Sequence, residues 1–307
     1  MQISILGAAA GGGLPQWNCR CSNCVLARAG SPLVDPLTQS SIAISSDGKD
    51  WFLLNVSPDI REQIHSFPPL TPPGDSPRGT GIAGCVLTDA EIDHVSGLIF
   101  LREGTPFQMY STPVVRQWLT DAFPIEPMLS AFAPRPWDEL VFGDSVNLQS
   151  ASGTKSALWV EPIDLSPHPP IYVGNYDGDA AGSVIALKVE DRATGGKMLY
   201  APGVEAMTPQ LDQAARDADL VLFDGTFWSL TEMVDQGLST RNALDMGHMP
   251  ISGNGGSLSW FKELPATTKA FIHINNTNPI LNNSTPEFEA IEAAGLAIAS
   301  DGEEYEI

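Results

Sequence analysis

The sequence predicts an α+β protein in which two β-sheets pack face to face and helices cover both outer faces. Two observations carry that reading. The first half is a series of apolar strand-like runs closed by a loop and a short helix, and the second half reads strand pair, helix, strand, helix, strand, helix. No internal repeat and no linker interrupts the chain, so residues 1–307 read as one domain. Apolar residues make up 43% of it, enough for a sizeable core.

Residues 2–6 alternate polar and aliphatic side chains as a first strand does. Residues 7–13 are a Gly/Ala-rich turn that runs into Leu14-Pro15-Gln16-Trp17 rather than a helix, so no dinucleotide fingerprint is present. Residues 41–45 and 51–56 form a hairpin, and Ser57-Pro58 starts a helix over 59–66. A Pro/Gly/Ser-rich loop at 67–81 leads to a buried strand at 82–87, an acidic turn at 88–94 and a helix at 95–102. A strand at 107–110 precedes a helix at 112–122, with Pro113 just inside its start. Prolines and glycines leave 123–180 without a readable period. A second hairpin spans 183–201, followed by a helix at 208–218 and a strand at 219–224. A long loop at 244–256 precedes a helix at 256–264, a strand at 269–274 and a helix at 286–294.

Charge excludes several functions. With 37 acidic against 16 basic residues the formal net charge is −21. That disfavours nucleic acid, which is bound chiefly by Lys and Arg, and anionic membrane surfaces. No segment reaches the roughly 18 to 20 apolar residues of a membrane helix, and residues 1–13 lack the pattern of a secretory signal. A cytoplasmic protein is expected.

Three of the four cysteines crowd into Asn18-Cys19-Arg20-Cys21-Ser22-Asn23-Cys24. Thiolates two and three residues apart converge on one ion from a single loop. Soft sulfur selects zinc, which asks for a fourth ligand to close a tetrahedron. Cys19, Cys21 and Cys24 are therefore expected to hold a structural zinc, whereas Cys85, inside an apolar strand, is a core residue.

The second candidate site is Thr88-Asp89-Ala90-Glu91-Ile92-Asp93-His94. In extended backbone alternate side chains share a face, so Asp89, Glu91 and Asp93 converge, and their mutual repulsion is relieved by a divalent cation. The order strand, ligand-rich loop, Asp-His, apolar helix resembles the metallo-β-lactamase superfamily, whose pattern there is His-x-His-x-Asp-His. Both leading histidines are carboxylates here. Phe271-Ile272-His273 resembles the closing strand and histidine of that superfamily. The segment 219–227, with Asp224-Gly225-Thr226, resembles its ribonuclease Z and phosphonate-diesterase branch, which also carries a histidine matched by His248 and a C-x-C-x-x-C zinc site. Those diesterases complete that zinc with a histidine where this chain has Asn276, which leaves the fourth ligand open. Taken with Met246-Gly247-His248-Met249-Pro250 and His273-Ile274-Asn275-Asn276-Thr277-Asn278-Pro279, the whole chain is most similar to the pyrroloquinoline quinone (PQQ) biosynthesis protein B family.

That resemblance implies an αββα four-layer metallo-hydrolase sandwich. It also implies a place in making the quinone from a ribosomal peptide, by iron- and O2-dependent hydroxylation of the tyrosine ring of a cross-linked Glu-Tyr substrate. The residues agree in direction. Residues 198–203, where a bridging aspartate belongs, contain no acid, and His168 lies between prolines, so two-zinc hydrolysis is disfavoured. Glu91, Asp93, His94 and His273, with Asp89 and His248 as further candidates, can build a site of two histidines and a carboxylate, a set suited to Fe(II) that activates O2. Asp93 and His248 are the expected catalytic residues, with His248 handling protons rather than metal. Asn275 to Asn278 either hold the His273 imidazole or shape a turn, and His65 is a helix-surface residue. The alternative is a carrier of PQQ or its precursor on a retired hydrolase scaffold. A homodimer is common among such enzymes, and the sequence does not set the oligomeric state.

Overall fold

Parallel strands covered on both faces need near-continuous apolar sequence, and Trp51-Phe52-Leu53-Leu54 and Ile82-Ala83-Gly84-Cys85-Val86 supply it, every residue buried. The computed structural model describes residues 1–307 apart from Asp75, Gly104 and Thr267. The chain forms two units, residues 1–6, 41–197 and 302–307 in one and 7–40 and 198–301 in the other.

The first unit holds a seven-stranded sheet in the order Glu304–Glu306, Gln2–Gly7, Ser41–Ser45, Trp51–Leu54, Ile82–Val86, Gln108–Ser111, Trp137–Glu139. The expected hairpin pairs Ile42 with Leu54, and the next three strands run parallel to it. Helices Ile60–Ser66 and Pro113–Asp121 bury Ile60, Val114, Val115, Trp118 and Leu119 against Leu53, Cys85 and Met109. Thr112 caps the second helix by accepting from the Val115 N–H, with Pro113 inside its start. Cys85 is fully buried, and burial pushes its thiol well above the usual range.

Two expectations need correction. The helix expected at 95–102 is a four-residue α-helix, Ile92–Val95, continued as a 3₁₀ segment, Ser96–Leu101. The stretch 123–180 contains a helix, Ile125–Ser130, and much of a three-stranded antiparallel meander, Val146–Gln149, Lys155–Ser166 and Val184–Asp191. Pro162 lies within the long strand and its register shifts between Asp164 and Ser166, which breaks the period of two that reveals a strand.

The second unit is built on parallel strands Lys197–Ala201, Leu220–Asp224, Thr268–Ile272 and Ala297–Ile298, with Leu222 opposite both Tyr200 and Ala270. Helices Pro209–Arg216 and Pro286–Ala293 open alike, with Thr208 and Thr285 as side-chain caps and a proline just inside. The N-terminal segment joins this unit through Ala9, which bridges Gln39 and Ile274. Functional side chains leave the C-terminal ends of the parallel strands, as open α/β sheets favour. No described helix is long and apolar enough to cross a membrane.

Candidate metal centres

The cysteine cluster is built by a short helix. Ser22–Arg28 starts at Cys21, whose Sγ accepts the Cys24 N–H, and the Cys21 N–H in turn points at Cys19 Sγ. The three sulfurs lie within 4.8 Å of one another. The side-chain amide of Asn276 caps them, its Nδ2 lying 3.2 Å from Cys19 Sγ and 3.3 Å from Cys21 and Cys24 Sγ. A half-turn of that amide exchanges its nitrogen for its oxygen, which puts an acceptor atom at the same point. Asn276 is the position left open as the fourth ligand, and its backbone carbonyl is held by Asn23 Nδ2 at 3.0 Å. Burial raises the Cys24 thiol to about 12, while hydrogen bonds from Cys21 and Asn276 outweigh burial at Cys19 and lower it. A bound cation removes such protons outright. Three soft sulfurs and one amide fit zinc.

The acidic loop is set by the strand end before it. Asn55, at φ 62°, donates from Nδ2 to Thr88 Oγ1 at 2.8 Å and accepts the Thr88 N–H at 2.9 Å. The loop therefore leaves the sheet with Asp89 turned inward. Asp89 is buried, and its carboxylate accepts from the Thr88 hydroxyl, the Glu91 N–H and, at 2.7 Å, His94 Nδ1. It stands behind His94 and orients the ring; the structure does not place it among converging ligands, contrary to expectation. The cause is local. Backbone helicity begins at Ile92, so the alternation assumed for Asp89, Glu91 and Asp93 stops after Glu91. Glu91 precedes the helix as its N-cap residue, while Asp93 Oδ2 lies 4.0 Å from His94 Nε2. Burial alone would lower the His94 pKa; the charges of Asp89 and Asp93 outweigh it and hold it at about 9. Burial likewise opposes ionisation of Asp89, and His94 prevails and keeps that carboxyl below the usual range. The backbone is tied down as well, since Val56 donates to the His94 carbonyl at 2.7 Å. A Cβ on Gly97 would lie 2.0 Å from the Ser57 carbonyl oxygen, so the chain passes there only as glycine.

In the second unit Asp224, His248 and His273 gather at the ends of strands Leu220–Asp224 and Thr268–Ile272, each offering a ligand atom within 4.8 Å of the others. Asp224 is fully buried and accepts from the Val204 N–H, the Thr226 N–H and hydroxyl, and His248 Nδ1 at 2.7 Å. Burial opposes its ionisation, but His248, His273 and Thr226 together hold its pKa below the usual range. Thr226 Oγ1 lies 2.6 Å from Asp224 Oδ1 and 2.8 Å from His273 Nδ1. Its single proton goes to the carboxylate, so the oxygen accepts from His273 Nδ1–H. The two rings stack at 5.3 Å and 21°. His94, His248 and His273 thus all have Nδ1–H fixed from behind, the arrangement that metal-bound histidines adopt, and a bound cation would displace any proton from Nε2.

Sequence reasoning left Asp224 and Thr226 out of the site, although Asp224-Gly225-Thr226 was the available signal. His248 and His273 prove to have the same kind of support. His65 is exposed in the last turn of its helix, and His168 lies in the loop after Lys155–Ser166.

Residues 50–274 match the family model for the β-lactamase superfamily domain. The chain is 42% identical over 309 residues to the coenzyme PQQ synthesis protein B of Pseudomonas savastanoi pv. phaseolicola, covering all of both chains. It is 44% identical over 304 residues to that of Ectopseudomonas mendocina, covering 98% of each. The chain belongs to the coenzyme PQQ synthesis protein B family. Its fold agrees: the solved Zn(2+)-bound PqqB from Methylobacterium extorquens matches with a TM-score of 0.91, 35% identity and full coverage of both chains. A diphosphatase of the PhnP family, 18% identical with a TM-score of 0.67 and covering 97% of that chain, shares the fold. The α+β metallo-hydrolase class predicted from the sequence is thus the class of this family.

Proposed function

We propose that the chain acts in PQQ biosynthesis as a non-haem iron oxygenase that hydroxylates the tyrosine ring of a cross-linked Glu-Tyr substrate. The observation that carries the reading is the donor chemistry. Outside the cysteine cluster the candidate ligands are imidazole nitrogens and carboxylate oxygens, and every one of these histidines is braced through Nδ1. Asp93, His94 and His273 are the proposed ligands, two imidazoles and a carboxylate, the set that leaves positions open on Fe(II). When bound, the iron would activate O2. One oxygen atom enters the ring and the other leaves as water, which takes two electrons and two protons from a reductant. The protein's own part is to brace the ligands and to move the ring proton, which we assign to His248. Asp89, Asp224 and Thr226 serve as the braces.

His248→Ala and His273→Ala, compared side by side, test this assignment. His248→Ala keeps iron near the wild-type level and loses about 10²- to 10⁴-fold in turnover, the usual contribution of a positioned acid or base. His273→Ala loses both. Iron lost from His248→Ala and kept in His273→Ala reverses the two roles. Tight PQQ binding with no oxygen uptake in the wild type replaces the oxygenase with a carrier.

A further inference from the structure

Asn276 faces the three cysteine sulfurs, yet the loop that carries it has no regular secondary structure to hold it in place. The loop is instead fastened from behind to residues 225–232. Asn275 donates its N–H to the Thr226 carbonyl at 3.1 Å, and Asn278 Nδ2 donates to the Gly225 carbonyl at 2.9 Å. Asn23 Nδ2 holds the backbone carbonyls of Asn276 and Asn278, and Gln236 Nε2 reaches the Thr277 carbonyl at 3.4 Å. A further link, through a side chain, is a buried carboxylate. Glu232 is 6% exposed at the start of helix Glu232–Asp235. Its Oε1 accepts the Thr277 hydroxyl at 2.5 Å and its Oε2 accepts the Trp228 N–H at 2.6 Å. Thr277 Oγ1 accepts in turn from Asn275 Nδ2 at 2.5 Å. The proton direction is therefore set along the whole chain, from Asn275 through Thr277 to Glu232, with Asn276 between the two loop residues it ties.

We propose that Glu232 is a positioning residue for the cysteine site, acting through Thr277 to aim the Asn276 side chain at the three sulfurs. A carboxylate buried this deeply is costly unless it serves as a fixed acceptor, and burial raises its pKa to about 7. Among the described residues the Thr277 hydroxyl joins the Glu232 side chain to the loop, so the two residues act as one unit. The inference rests on metal binding at Cys19, Cys21 and Cys24.

The test is zinc affinity of the full chain, read by competition with a chromophoric chelator, in Glu232→Gln, Thr277→Val, Thr277→Ser and the Glu232→Gln/Thr277→Val pair. Loss of a residue that orients a ligand typically costs about 10- to 100-fold in metal affinity. Glu232→Gln and Thr277→Val each fall in that range, and the double variant falls no further, because a shared link is broken once. Thr277→Ser, which keeps the hydroxyl, stays within about twofold of wild type. Cobalt bound in place of zinc reports the same order through its sulfur charge-transfer bands. Wild-type affinity in Thr277→Val, additive losses in the double variant, or a loss in Thr277→Ser equal to that in Thr277→Val overturns the role given to Glu232. If the wild type binds zinc no better than Cys21→Ser does, it is the metal reading of the cysteines that fails.

Discussion

Thr226→Val removes one hydroxyl from the centre of the Asp224, His248 and His273 cluster and leaves the side-chain volume nearly unchanged. Thr226 Oγ1 lies 2.6 Å from Asp224 Oδ1, 2.8 Å from His273 Nδ1, 2.9 Å from the His273 carbonyl and 3.0 Å from His248 Nδ1, and the two shortest contacts, the donation to Asp224 and the acceptance from His273 Nδ1, carry most of the loss. The first is a charge-assisted bond to a fully buried carboxylate, worth about 1.5 to 3 kcal/mol. The second leaves a buried imidazole N–H without its acceptor, at about 1 to 3 kcal/mol. Asp224 keeps the Val204 and Thr226 N–H groups and His248. The loss is therefore put near the low end of the sum, about 3 kcal/mol. For a chain of this size 1 kcal/mol moves Tm by about 2 °C, so Thr226→Val melts about 6 °C lower. Urea unfolding with metal chelated reads this without a contribution from metal binding, and Thr226→Ser serves as the control that keeps the hydroxyl. A Thr226→Val stability within about 0.5 kcal/mol of wild type refutes the bracing role. So does a Thr226→Ser variant that falls as far as Thr226→Val.

Two further outcomes follow from the other clusters. Cys21→Ser lowers zinc content and thermal stability together, because binding at a site formed only in the folded chain is linked to folding; elemental analysis and melting of the same sample check it, and an unchanged zinc content refutes the cysteine site. Asp89→Asn keeps the fold but releases His94 from its fixed Nδ1–H orientation, and the metal affinity of the acidic loop falls about 10- to 100-fold. Titration calorimetry against Fe(II) under nitrogen reads that loss, and an unchanged affinity shows that the ring is oriented by other groups.

Sites made by neighbouring residues were legible in the sequence. The cysteines are one such case, since three sulfurs separated by one and two residues converge by chain geometry alone. The closeness of Asp93 to His94, just after a buried strand, is another, while their role as ligands remains a proposal. Roles that depend on long-range contacts were not. Asp89 reads as a ligand when the loop is taken as extended, and only the helix beginning at Ile92 shows that it backs His94. Asp224 looks like any acid closing an apolar strand until His248, 24 residues later, is brought onto its Oδ2. Asn276 lies more than 250 residues from the sulfurs it faces. From sequence, residues 275–278 could brace the His273 imidazole or shape a turn; in the structure Thr226 braces the imidazole, and Asn276 addresses the cysteines. The strands between 140 and 170 were hidden by Pro162 and a register shift, a local break in alternation that pairing with the neighbouring strands tolerates.

We propose that one chain carries a structural zinc and a separate oxygen-activating iron. Metal analysis of protein purified without air, followed by oxygen uptake on addition of the cross-linked Glu-Tyr substrate and a reductant, addresses it directly. One zinc and one iron per chain are expected, with oxygen consumed only when substrate is present and the ring product rising with it. Zinc alone in the purified chain, with no oxygen uptake after iron is supplied, contradicts the proposal.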